Sequence, residues 1–181
     1  MSFKEEPITQ EMIDFITPMV EYQKKNNITG MRLMNALLIH QRFPEYKPKA
    51  GVVIALCPNT KTKETAMIIV PHCWSEKNPY NKLESSIDVL QFGRDIGQYE
   101  LSTFLNDCKT EPLKSMADET MKRRIIEEVV GLTQLIDAIL GNKVSIEQMC
   151  SDMMKMEGDN SLAKYYYAIK DIHKKQNKTY T

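Results

Sequence analysis

The sequence predicts an α+β protein in which a small antiparallel sheet packs against helices and the C-terminal third is helical. Apolar residues recur at helical spacing near the N-terminus and again after about residue 101, whereas the stretch between them is rich in β-branched residues and turn residues. We therefore expect an α+β core over residues 1–106 and a helical region over residues 107–181 that packs on this core. A chain of 181 residues, 42% hydrophobic and 27% charged, is large enough for a packed interior.

Two helices are predicted at the N-terminus. The apolar residues of the first 25 positions repeat every three or four residues, which predicts an amphipathic helix over residues 9–25. A second, mostly buried helix is predicted over residues 31–39, since nearly every position there is apolar. It should end before Pro44, and Thr29 could cap its start.

The middle of the chain has the residue composition of β-strands. Residues 51–57 form a short apolar run bounded by turn residues, and residues 65–74 resume strand character after a polar loop. The two most simply form an antiparallel hairpin, and Pro71 implies a sheet edge or a bulge just before His72. Residues 85–90 are a candidate third strand.

Three further helices are predicted in the last third of the chain. The clearest covers residues 116–139, and a shorter one over 146–153 has Ser145 as a cap and Gln148 to complete a capping box. The last spans about 162–172 and carries three consecutive tyrosines, of which at least one should be exposed or in an interface. The lysines that follow, including Lys170 and Lys174, are most simply a solvated end.

Charge and composition narrow the function classes. Lys+Arg and Asp+Glu both total 24, so the net charge of zero gives no reason to expect nucleic acid or an anionic membrane as a partner. The apolar runs are far shorter than the roughly 20 residues that cross a bilayer. The charged N-terminus lacks the apolar stretch of a secretory signal, and the four cysteines are scattered. We therefore expect free thiols and a cytoplasmic protein.

One constellation of residues could carry chemistry. Gly30 and Asn35-Ala36 stand at the head of the second helix, His72 and Trp74 lie on the second strand, and Asp88 lies on the next candidate strand. This pattern resembles the papain-like cysteine hydrolase superfamily, in particular its transglutaminase-like and NlpC/P60-like branches. In those families a cysteine opens the helix, a histidine on a facing strand takes its proton, and a carboxylate orients the imidazole.

The resemblance implies a role for each matching position except the nucleophile. His72 matches the general base and Asp88 the orienting acid, while Asn35 and Trp74 match packing positions beside the site. Three residues before Asn35, where the family has its cysteine, this sequence has Arg32. Because a guanidinium cannot attack a carbonyl, the resemblance implies a relic cleft lined by Arg32, His72 and Asp88 that binds an acidic group. The candidate binding residues are Arg32, Asn35 and Trp74. The alternative is an arginine on the exposed face of a helix.

The four cysteines offer no clear replacement nucleophile. Cys73 adjoins His72 on a strand, so the two side chains should point to opposite faces. Cys57 should lie on the order of 20 Å from His72. Cys108 and Cys150 belong to the helical region, where they are either displaced nucleophiles or small buried hydrophobes. The three histidines are dispersed, so we expect no metal and no cofactor.

Three functions follow from these observations. The first is a non-catalytic binding or assembly protein whose relic cleft contacts a protein or peptide partner. The second is an active thiol hydrolase or acyltransferase with a displaced cysteine. The third is a helical scaffold or self-association protein, since four methionines within residues 149–156 could form an adaptable surface as well as core.

Overall fold

The computed structural model describes residues 9–28, 30–58, 61–78, 81–83 and 94–179. Within these ranges helices come first and last with strands between them, which confirms the α+β class. In chain order the elements are α1 (Gln10–Asn26), α2 (Arg32–Arg42), β1 (Lys47–Pro58), β2 (Thr65–Asn78), β3 (Asn81–Leu83), β4 (Arg94–Tyr99), α3 (Leu101–Asp107), α4 (Leu113–Met116), α5 (Glu119–Leu140), α6 (Ile146–Lys155) and α7 (Ser161–Thr179).

The two N-terminal helices differ in how they begin. The Oγ1 of Thr9 accepts a hydrogen bond from the backbone N–H of Met12 at 3.2 Å, which caps α1. Thr29, expected to cap α2, lies outside the described residues, and the N-cap position is Met31, which makes no capping side-chain hydrogen bond. The first turn of α2 also contains no acidic residue. The positive end of the α2 dipole therefore meets no acidic residue within its own first turn.

The cap predicted for α6 is half right. The Oγ of Ser145 accepts a hydrogen bond from the backbone N–H of Gln148 at 3.0 Å, as expected. The side chain of Gln148 does not complete the capping box, because its Nε2 donates to Asp152 Oδ1 at 2.8 Å. An acceptor one turn further along the same helix has satisfied this amide.

The four strands form one sheet in the order β3-β2-β1-β4. The two strands expected to pair, β1 and β2, are neighbours, and β4 runs antiparallel to β1 with Val52 opposite Tyr99. Among the described residues, β3 pairs with β2 only from Ser75 onward. No described residue of β3 lies opposite Pro71, so the N–H that proline lacks is not needed for pairing with β3. The strand predicted over residues 85–90 lies outside the described residues, and neither β3 nor β4 was expected.

The chain divides into two compact units that interleave along the sequence. The described residues of the first unit come from Met1–Pro48, Trp74–Leu90 and Ala138–Thr181, and those of the second from Lys49–Cys73 and Gln91–Asp137. These units are defined by packing and do not test the division after residue 106, which stays a prediction.

Each unit contains a cluster of buried apolar side chains. In the second unit the cluster joins β1 to the helices α3, α4 and α5, and its residues are Val52, Ile54, Phe104, Cys108, Leu113, Ala117, Ile125 and Val129. In the first unit it joins α1 to α2 and the turn that follows, and its residues are Met12, Ile16, Ile39, Phe43 and Tyr46. In the described ranges no helix has the length and apolar character needed to cross a membrane.

Candidate functional site

Arg32, which stands where the papain-like resemblance would place a nucleophile, is the first residue of α2. Its side chain is partly exposed. A cation at this position adds to the positive end of the helix dipole, which weakens the helix and strengthens the local positive potential. The chemistry that this end of α2 favours is therefore contact with an anionic group, and proton abstraction or nucleophilic attack by Arg32 itself is excluded.

Asn35 lies one turn further along α2 and is fully buried. Its Nδ2 donates to Gln23 Oε1 at 3.1 Å, and its Oδ1 accepts from the hydroxyl of Tyr165 at 2.6 Å. The hydroxyl oxygen of Tyr165 also lies 3.2 Å from Gln23 Oε1, so the three side chains form a buried polar cluster that links α1, α2 and α7. We call Gln23, Asn35 and Tyr165 the polar triad. A ligand that reached Asn35 would have to displace these partners.

His72 and Trp74 both lie on β2 and are each 2% exposed. Their positions two residues apart place them on the same face of the strand, and Cys73 between them points to the other face. The indole Nε1 of Trp74 donates to Glu76 Oε2 at 2.9 Å. His72 belongs to the second unit, whereas Trp74 belongs to the first together with Arg32.

Asp88, predicted to orient the imidazole of His72, lies outside the described residues. The orienting role of Asp88 and the base role of His72 therefore stay predictions. Of the five positions singled out in the sequence, Arg32 and Asn35 share one helix, and His72 and Trp74 share one strand.

The thiols of the helical region are poorly suited to nucleophilic attack. Cys108 and Cys150 are buried, and burial raises the pKa of each. For Cys108 the nearby ammonium of Lys122 only partly opposes this effect. For Cys150 the charge of Glu147 adds to it, and the pKa rises to about 11. Both thiols are therefore protonated at neutral pH, which removes the thiolate that attack requires.

No pattern in the sequence indicates a side-chain contact between α6 and α7. Glu147, at the start of α6, accepts a hydrogen bond from the hydroxyl of Tyr166 at 2.9 Å and one from Gln41 Nε2 at 3.4 Å. A bond from its own backbone N–H, helped by these two, lowers the pKa of Glu147. Burial and the bond to Glu147 raise the pKa of Tyr166. This contact holds the carboxylate charged and the phenol neutral.

His173 lies among the lysines of the end that the sequence predicts to be solvated, yet it packs against α1. Its ring stacks on that of Phe15, with centroids 4.1 Å apart and 22° between the planes. Its Nε2 lies 3.0 Å from the carbonyl oxygen of Phe15, so this nitrogen carries the proton. Burial lowers the pKa of His173, the bond to Phe15 opposes this, and the charge of Lys170 lowers it further. Only the packing of α7 on α1 reveals the contact, because the two residues lie 158 positions apart.

Among the described residues no group of three or more histidine, cysteine or acidic side chains could hold a metal ion. Comparison of the chain with protein-family models, with curated proteins and with solved structures gave no match. The resemblance to the papain-like superfamily therefore rests on the residues alone.

Proposed function

We propose that this protein acts by binding a protein or peptide partner rather than by catalysis, and that Arg32 contacts an acidic group of that partner. The observation that carries the proposal is the position of Arg32 as the first residue of α2, where the papain-like resemblance would place the nucleophile. A permanent cation at the N-terminus of a helix favours an anionic ligand through both its own charge and the helix dipole. On this account the fold is a relic of the superfamily.

The state of the thiols supports binding over thiol chemistry. With a pKa of about 11 against an ordinary 9.0, the thiolate fraction of Cys150 at neutral pH is about 100-fold below that of an unperturbed cysteine. Cys73 is buried beside His72 but points to the opposite face of β2, and burial also raises the pKa of Cys108. A displaced nucleophile would need a lowered pKa and an accessible sulfur, which none of these three thiols combines.

Alkylation of the native protein at neutral pH tests the non-catalytic half of the proposal. We expect iodoacetamide to modify Cys73, Cys108 and Cys150 at least about tenfold more slowly in the native chain than in the urea-unfolded chain, because buried thiols react poorly. Mass spectrometry after partial labelling locates any fast site. A single rapidly labelled cysteine, together with hydrolysis of an amide or ester substrate that a serine substitution at that cysteine abolishes, would overturn the proposal.

Binding of an acidic peptide tests the role of Arg32. We expect a fluorescein-labelled oligoglutamate peptide to bind the native protein, and Arg32→Gln to weaken that binding by about tenfold, the size of one charge contact in water. Arg124→Gln is the matched control, since Arg124 is an exposed arginine of α5 in the second unit. Equal affinity of the Arg32→Gln and native proteins would contradict the proposed contact, whatever the affinity of the control.

Self-association is a second candidate, favoured by exposed apolar side chains near α6 and α7. Met154 is 44% exposed and Met156 is 68% exposed. Tyr167 is 44% exposed, which confirms that one of the three consecutive tyrosines is exposed. Light scattering over a range of protein concentrations tests this function, because self-association raises the average mass as the concentration rises. Met156→Asp should disrupt a surface that joins copies of the chain and so lower that mass. A monomer at all concentrations would exclude it.

A further inference from the structure

A cavity of about 600 Å³ lies in the first unit between α1, α2 and α7. Its volume falls within the range of about 300–1,000 Å³ that is typical of small-molecule sites. We call it the helical cavity. Its lining residues are Phe15, Leu38, Gln41, Arg42, Lys170, His173, Lys174 and Asn177.

All ionisable side chains that line the helical cavity are basic. Arg42 comes from α2, and Lys170, His173 and Lys174 come from one face of α7. Arg42 bonds the exposed carboxylate of Glu11, which neutralises part of its charge. Lys174 is exposed and has no carboxylate partner among the described residues. The ammonium of Lys170 lies 5.7 Å from the centroid of the Tyr166 ring and interacts with the charge of Glu147, which offsets part of its own. Lys174 is therefore the cation that contributes most to a positive potential in the helical cavity, although the whole chain is neutral.

The wall of the helical cavity is apolar and held in place. The ring of Phe15 is fixed by its stacking on His173 and meets the ring of Phe43 edge-on, with centroids 5.6 Å apart. Leu38 is 1% exposed and forms part of the floor of the helical cavity. The imidazole is itself anchored by its bond to the carbonyl of Phe15. A flat or aliphatic group would find a preformed apolar surface next to several cations.

We propose that the helical cavity binds a small amphipathic anion, an organic carboxylate, phosphate or sulfonate whose body is aromatic or aliphatic. The apolar body packs on Phe15 and Leu38, and the acidic group is held by Lys174 and Lys170 with Arg42 at the rim. This site goes beyond the proposed contact at Arg32 and does not depend on it, because no residue of the helical cavity belongs to the first turn of α2.

A pair of dyes that differ only in charge tests the proposal on the full chain. Anilinonaphthalene sulfonate has an aromatic body and one sulfonate, and phenylnaphthylamine is its uncharged parent. We expect the sulfonate to bind one site per chain with enhanced fluorescence and to bind at least about tenfold more tightly than the parent. Its affinity should fall as added salt shortens the Debye length from about 10 Å at 0.1 M to about 3 Å at 1 M.

Two adjacent lysines of α7 give a matched pair of variants. Lys174→Glu reverses a charge that lines the helical cavity, and we expect it to weaken binding of the sulfonate dye by about tenfold or more. Lys175→Glu makes the same change one residue further on, where the side chain is 76% exposed, pairs with Asp171 and does not line the helical cavity. The control should retain most of the native affinity. Circular dichroism checks that both variants keep the native helix content.

Displacement of the dye identifies the body of the ligand. Naphthoate presents a flat aromatic body and dodecanoate a flexible chain, and each carries one carboxylate. Displacement by either acid at concentrations where naphthalene methanol or dodecanol has no effect supports the proposal and indicates the body that the helical cavity prefers. The proposal is overturned if neither acid displaces the dye, if the uncharged parent binds as tightly as the sulfonate, or if Lys174→Glu and Lys175→Glu weaken binding equally. The Arg32→Gln protein should bind the dye normally, which separates this site from the peptide contact.

Discussion

Both units bury clusters of apolar side chains, and the first unit also buries a cluster of hydrogen-bonded polar ones. The hydrophobic cluster of the second unit is built from apolar groups that need only to be removed from water, and its Phe104 is fully buried. In the first unit the polar triad of Gln23, Asn35 and Tyr165 lies where three helices meet. Apolar burial scales with area, whereas a buried amide is favourable only while each partner is present. The two interiors should therefore respond to substitution in different ways.

The largest expected effect is truncation inside the hydrophobic cluster of the second unit. Phe104→Ala should lower the free energy of unfolding by about 3–5 kcal/mol, since it removes a buried ring and leaves a cavity. Urea denaturation followed by far-UV circular dichroism measures the change. A matched control is Leu105→Ala, at a partly buried position on the same helix, which should cost less. Equal losses for the two would show that the cluster is not the packed interior that its burial indicates.

The polar triad should show a smaller but non-additive effect. Asn35→Ala removes the acceptor of the Tyr165 hydroxyl and the donor to Gln23, so it should cost about 1–3 kcal/mol of unfolding free energy. Replacing all three residues together, as Gln23→Met, Asn35→Leu and Tyr165→Phe, should cost less than Asn35→Ala alone, because no polar group is left unpaired. The fluorescence of Trp74, the single tryptophan, reports unfolding of the first unit.

The triple variant separates hydrogen bonding from packing. The side-chain Nε2 of Gln23 has no hydrogen-bond partner among the described groups, so the native triad already contains an unsatisfied donor. A combined loss as large as the sum of three single losses would mean that the triad stabilises through shape alone, and the contrast between the two interiors would disappear.

The same contrast separates what the sequence reveals from what it hides. Ile125, Val129, Ile136 and Ile139 repeat at helical spacing, and all four are buried on α5 as their period predicts. No such period marks the polar triad, because its members lie 12 and 130 positions apart on three helices. The sequence alone does not show whether the amide side chain of a helical residue faces water or a buried hydroxyl. Burial of apolar residues is a local pattern, and pairing of polar residues is not.

Strand β4 was not predicted for a related reason. Residues 94–99 contain one aliphatic side chain, Ile96, and a glycine, so no alternating pattern marks them. They join the sheet through backbone pairing with β1, where the register shifts between Ile54 and Ala55. Backbone hydrogen bonds depend on which strand lies alongside, and this information is distributed over the fold.

The helical cavity was hidden for the same reason as the polar triad. The sequence predicts that Lys170 and Lys174 belong to a solvated end, and only the packing of the helices places them in the lining of one cavity with Phe15 and Arg42. For the papain-like resemblance, the sequence places Arg32 at the start of a helix and His72 on a strand, and both elements are present. The sequence could supply these positions because they depend on local patterns.

A pH titration tests whether His173 belongs to the interior of the first unit. Because the pKa of His173 is lowered in the folded protein, the unfolded chain takes up a proton first as the pH falls below the ordinary value of 6.5. The contribution of His173 to stability is therefore complete above that pH, decreases below it, and levels off once the pH is under the folded pKa. Lys170 is the charge that acts on the imidazole, while Lys174 of α7 and Arg42 of α2 line the same cavity, and Glu11 of α1 is bound to Arg42.

His173→Gln provides the comparison for this titration. An amide N–H at that position can still donate to the carbonyl of Phe15 but does not titrate. We expect the free energy of unfolding of the native protein to fall more than that of the variant between about pH 7 and pH 5, the range in which histidine changes charge. Parallel curves for the two proteins would show that His173 is solvated at the helix end, as the sequence alone suggested.

The smallest effects are expected at the surface, where the two units should behave alike. The first unit has an exposed ion pair between Glu11 and Arg42, and the second has one between Glu100 and Lys49 at 2.9 Å. Because all four side chains are at least 42% exposed, Glu11→Gln and Glu100→Gln should each change the free energy of unfolding by about 1 kcal/mol or less. Urea denaturation at low and high salt measures both, and added salt should shrink any difference from the native protein. A loss of about 3 kcal/mol at either pair, the size expected for a buried ion pair, would mean that the difference between the units extends beyond their interiors to their surfaces.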